Sequence, residues 1–199
     1  NITGYAASKN DESDLLLSKY TGEFSVDMNV SVPANTVVLY RLNAEHLTEN
    51  IASSFTDENQ NRDYFDHWMP WMTNNILFGI SESLDQNFMK RSFLIIPASD
   101  RVLAENKLKS AVVSDTLRYR GHVIMEMAAS NILTGIAGAK FPEICYTAWN
   151  NNDLVVAFEL LQLKNMFDAI ENGETLIADS DYYEFKKHVS ASFNNSIYL

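Results

Sequence analysis

Between Arg62 and Met72 the chain reads RDYFDHWMPWM, which gathers Tyr64, Phe65, Trp68 and Trp71 with His67, Met69, Pro70 and Met72. Two of the three tryptophans lie here. Aromatic side chains bury about 150–250 Å² each, so a fold containing this stretch must shelter it in the core or lend it to a partner. Pro70 adds a backbone constraint, because inside a helix its ring would clash with the carbonyl four residues earlier. The pattern predicts a helix from about Pro70 to Met89. Phe65, Met69, Met72, Ile76 and Ile80 form one stripe of that helix and read as core. Tyr64, Trp68 and Trp71 lie off the stripe and are the candidate partner-binding residues.

Strand signals stand on either side. Phe24, Val26, Met28, Val30 and Val32 alternate with polar residues, the period of a strand with one wet face. Pro33-Ala34-Asn35 breaks the run, and Thr36 to Leu42 returns as the second arm of an N-terminal hairpin. Ser92 to Pro97 is a continuous apolar run closed by proline, which suits a buried strand. Glu143 to Trp149 reads as another, and Thr175 to Ala178 as a short edge strand.

Helices are expected over 44–55, from Ser99 or Asp100 to about Tyr119, over 123–137 as the central core helix, from about Leu154 to Asn172, and from Asp181 to about Phe193. Gly121, Gly138 and Gly173 are placed to end three of them. The expected fold is α+β and helix-dominated. It has an N-terminal β-hairpin and two or three further short strands, in a small mixed sheet packed against five or six helices. Residues 1–13 read as a polar tail and 14–199 as one globular domain.

The charge balance narrows the function classes. Fifteen basic against 26 acidic residues leave a formal net charge of -11, which repels phosphate backbones and anionic membranes and suits a protein partner with a basic surface. The longest apolar run, Val123 to Ala139, is interrupted by polar residues and shorter than the roughly 20 residues a spanning helix needs. Cys145 is the lone cysteine, so no internal disulfide can form. The chain opens at Asn1 without Met, which suits export with a removed leader as well as a cytoplasmic location.

Asp57, Asn59, Asn61 and Asp63 occupy positions 1, 3, 5 and 7 of a calcium loop. Arg62 stands where that loop turns on glycine, and Trp68 where its bidentate glutamate belongs. They are the candidate metal ligands, in a pattern that fails twice. Gly135 to Lys140 lacks the spacing of a phosphate loop and falls at an expected helix end. Asp63 and His67 could meet one helical turn apart, and Cys145 with His188 could form a thiol and its base. These four are the candidate catalytic residues. No cofactor motif is present in the sequence.

With catalytic signatures missing and an aromatic cluster present, the leading expectation is a non-enzymatic protein-interaction or assembly component of an envelope, secretion, viral or inhibitor complex, with homo-oligomerisation open. The alternatives are a hydrolase or transferase built from Asp63, His67, Cys145 and His188, and a carrier of a small apolar ligand.

Overall fold

The computed structural model describes residues 32–43, 64–82, 87–114, 117–128, 144–182 and 197–198. Its strands are β1 (Thr36–Asn43), β2 (Asn75–Ser81), β3 (Ser92–Pro97), β4 (Leu117–Tyr119), β5 (His122–Ala128), β6 (Ile144–Asn150), β7 (Asp153–Ala157) and β8 (Ile197–Tyr198). The helices are α1 (Phe88–Arg91), α2 (Arg101–Leu108) and α3 (Leu160–Asn172), with a π-helical turn at Tyr64–Trp68 and 3₁₀ turns at Lys109–Ala111 and Leu176–Ala178. The strands form one sheet in the order β4-β5-β6-β7-β3-β2-β1-β8. Every pairing is antiparallel.

This overturns the helix-dominated fold with five or six helices and a small mixed sheet. Asn75 to Ser81, inside the expected Pro70–Met89 helix, is β2, and His122 to Ala128, expected to open the central core helix, is β5. The Asp100 helix stops after two turns and a 3₁₀ turn, and β4 follows. Leu154 opens no helix; it lies in β7, and α3 starts at Leu160. Where the short edge strand Thr175–Ala178 was expected, Thr175 makes an isolated bridge to Pro33 and Leu176–Ala178 is a 3₁₀ turn.

The physical cause is a sheet covered on both faces. Along β3, Phe93 and Ile95 belong to one buried cluster and Leu94 and Ile96 to the other, and β7 divides Leu154 and Val156 from Val155 and Ala157 in the same way. Such strands lose the polar-apolar alternation and read like a buried helix. A central hydrophobic run therefore carries two cores at once.

Where one interpretation was open, sequence and structure agree. Ser92–Pro97 is β3 with the expected bounds, Thr36–Asn43 is β1, and Ile144–Asn150 is β6. Asp100 caps α2 by accepting from the Leu103 amide at 3.0 Å. Gly173, at φ 72°, ends α3. Gly121 is left-handed as expected, but in the tight turn between β4 and β5, beside Arg120 at φ 47°. The final helix begins one residue before Asp181, and Asp179 caps it, its carboxylate accepting from the Asp181 and Tyr182 amides. The expected strand 24–32 lies outside the described residues but for Val32, and the tail and the 44–55 helix lie wholly outside them.

Each face has its own cover. On the first, Trp68, Trp71, Ala104 and Leu108, from the π-helical turn region and α2, pack over Ile76, Leu94, Ile96, Met127, Cys145, Trp149, Leu154 and Val156. On the second, Leu163, Met166 and Phe167 of α3, with Leu176, pack over Leu77, Phe93, Ile95, Ile124, Ala148 and Val155. Gly79 sits opposite Phe93 in the β2–β3 pair. A Cβ at Gly79 would lie 2.1 Å from Phe93 Cζ, so the missing side chain is what lets that ring lie on the sheet.

Candidate functional site

The aromatic stretch is held by its own backbone. Trp71 Nε1–H donates to the His67 carbonyl at 2.6 Å, while the Trp71 carbonyl accepts from the Ser99 amide at 2.8 Å and the Ser99 hydroxyl at 3.0 Å. Trp68 and Trp71 are 2% and 0% exposed. Their rings lie 5.5 Å apart, and Trp71 meets Trp149 edge-on at 6.2 Å. Neither indole reaches the surface. Tyr64 contributes its backbone to the π-helical turn.

Of the four candidate catalytic residues, His67 and Cys145 are among those described. His67 donates from Nδ1 to the Lys107 carbonyl at 3.1 Å, beneath α2. Cys145 is 1% exposed on β6, its Sγ 3.7 Å from the Met127 carbonyl, and burial pushes its thiol up to about 12. Burial thus disfavours the thiolate that a cysteine nucleophile needs. Asp63 and His188, like the candidate calcium ligands Asp57, Asn59 and Asn61, lie outside the described residues. Among the described residues no cluster of His, Cys, Asp and Glu is arranged for a metal, and no helix is long and apolar enough to cross a membrane.

What the first face does carry is an open trough of about 520 Å³ between α2 and the β5–β6 strands. Leu108, Val112, Val123, Met125 and Trp149 supply its apolar lining, and Arg101, Glu105, Lys109, Asn150 and Asn151 its polar rim. Strand alternation explains the floor: Val123 and Met125 stand on the same side of β5 as Met127, which belongs to the first-face core. Helix spacing explains the lip, because Arg101, Glu105 and Lys109 follow one another at intervals of four residues.

Arg101 locks one end. Its Nε donates to Glu105 Oε1 at 2.8 Å, one Nη donates to the Asn151 carbonyl at 2.8 Å, and its guanidinium lies 5.3 Å above the Trp149 ring. Asn151 takes φ 53° in the β6–β7 turn, which brings that turn under α2. Trp149 is nearly buried, and its Nε1–H has no acceptor among the described residues. His122 also lines the trough, yet its ring stacks on Phe167 at 3.9 Å and its Nδ1 donates to the Trp149 carbonyl at 3.0 Å.

The second face has a polar cluster of its own at the same end of the sheet. Tyr119 donates its hydroxyl to Asp168 at 2.8 Å, Arg120 pairs with the same carboxylate, and Lys164 lies 5.3 Å from the Tyr119 ring centre. Tyr119 and Arg120 thus share Asp168 as acceptor, and the cluster fastens the β4–β5 turn to α3.

Sequence reasoning missed the trough. Its floor falls where a helix was expected, and on Trp149, the tryptophan outside the 62–72 stretch. The signal was the alternation of Val123, Met125 and Met127. Comparison with protein-family models, with curated proteins and with solved structures found no match.

Proposed function

We propose that the chain is a non-enzymatic binding domain that joins a protein assembly through the trough between α2 and β5–β6. The observation that carries this reading is the trough itself, with an apolar floor, a polar rim and a tryptophan–arginine stack. That is the anatomy of a docking surface, where a dry centre supplies affinity and the rim excludes water. The enzyme alternative loses support because neither His67 nor Cys145 lines the trough, and its carboxylate Glu105 is held by Arg101. The volume also falls in the range of small-ligand pockets, about 300–1,000 Å³, which keeps a carrier of a small apolar ligand as the second reading.

The test is affinity capture from the native source with the wild-type chain and with Val123→Asp, which sets a charge in the floor at a partly exposed position. A defined protein held by the wild type and lost by a variant with unchanged thermal unfolding supports the reading. Identical capture by both, or a small apolar molecule co-purifying in place of any protein, overturns it.

A further inference from the structure

The chain as a whole is strongly acidic, yet the trough is not. Among the described residues its lining carries Arg101 and Lys109 against Glu105, two basic side chains to one acidic. Glu105 is already engaged by Arg101, while Lys109 donates to a neutral acceptor, the side-chain oxygen of Asn106, at 2.8 Å. Arg118 stands opposite Val123 in the β4–β5 pair and is exposed, which adds a third cation beside the floor. At physiological salt charges are screened over about 8 Å, so the rim and not the distant net charge sets the field a docked group feels. The Trp149 indole adds a buried donor without an acceptor in a residue that lines the same trough. An orphaned donor of that kind asks for an acceptor.

Resting on the binding-domain reading, we propose that the trough takes a short peptide segment of a partner protein in which one or two large apolar side chains are flanked by a carboxylate. The apolar side chains lie over Leu108, Val123 and Met125, and the carboxylate faces Lys109 and Arg118. An open trough suits a peptide better than an acyl chain, which would stay half wetted there.

The experiment is selection of short random peptides displayed on phage against the whole chain, followed by binding of the best synthetic peptide to the wild type, Lys109→Glu and Val123→Asp. The expected result is enrichment of aspartate or glutamate beside leucine, phenylalanine or tryptophan. Binding should weaken about tenfold or more in either variant and weaken with added salt, with thermal unfolding unchanged. Lys109→Glu is an exposed change outside the core, so it keeps the test valid should Val123→Asp disturb β5. Enrichment of basic peptides, or binding indifferent to both variants, overturns the acidic-peptide assignment and leaves the binding-domain reading standing. No enrichment over an empty support, together with identical capture in the previous test, overturns both. A dimer of the free chain that Lys109→Glu dissociates would give the trough to a second copy, and saturable displacement of the peptide by dodecanoate would give it to a small amphiphile. Either result overturns the proposal.

Discussion

The two faces of the sheet are covered by helices of unequal length, and much of the molecule's character follows from that difference. On the second face α3 runs for 13 residues, about 20 Å at 1.5 Å per residue, and lays Leu163, Met166 and Phe167 along the strands. On the first face α2 has 8 residues, about 12 Å, too short to cover the same strands. Tryptophans fill part of what it leaves. Trp68 and Trp71 enter from the π-helical turn region and meet Trp149 from the sheet, while the β5 end stays open as the trough. A short cover thus needs bulky filling and leaves a recess, whereas a long one closes its face with ordinary side chains.

The sharpest test of this contrast is Trp71→Ala. Truncating a fully buried aromatic costs about 3–5 kcal/mol, and at about 2–4 °C per kcal/mol for a chain of this size the melting temperature should fall by roughly 10 °C. Leu161→Ala, on the exposed side of α3 at 67% exposure, should leave it nearly unchanged. Equal effects in thermal unfolding would break the claim that the tryptophans fill the first face.

On the second face the corresponding weak point is a lack of space. Gly79→Ala should cost about 1–3 kcal/mol, because the added methyl meets the Phe93 ring. Phe93→Leu in the same chain should make the combined loss smaller than the sum of the two single losses, as chemical denaturation of the three variants would show. Strict additivity would mean that the ring and the glycine do not share that space.

A third test bears on the β6–β7 turn, where α2 is tied down. Burial raises the Asp153 carboxyl from 3.8 to about 6. A raised folded-state value means that its stabilising contribution is complete below about pH 4 and is lost as pH rises through about 6. Asp153 is only partly buried, so after allowance for solvent screening Asp153→Asn should gain about 1 kcal/mol above pH 7 and little near pH 4. Unfolding free energies of both proteins across that range check the sign. The smallest expected effect is at the rim, where Glu105→Gln removes an exposed ion pair and should change stability by about 0.5 kcal/mol or less.

How much of this was legible depends on how many faces of each strand are wet. β1, β3 and β6 were readable because breakers or β-branched and aromatic residues bound them. Ile76 to Ile80 and Leu154 to Ala157 were not, because burial on both faces erases the period that separates strand from helix. The β5 segment misled for a second reason: Met125, Glu126, Met127 and Ala128 are all good helix formers, and their neighbours in the sheet override them. Helix ends were legible where one side chain or one left-handed glycine decides them, as at Asp100 and Gly173. The trough was not, since it exists only between elements brought together by the sheet order.

Cys145 gives the molecule an internal clock. Its side chain projects from β6 into the first-face core, on the same side as its register partner Met127, where a reagent can reach it only when that face opens. When closing outpaces the chemistry, the labelling rate reports the free energy of that one opening, separately from global unfolding. Leu108, Met125 and Trp149, which pack in the same core as the thiol, also line the trough. Occupancy of the trough should therefore be readable as time, in a slower loss of one free thiol.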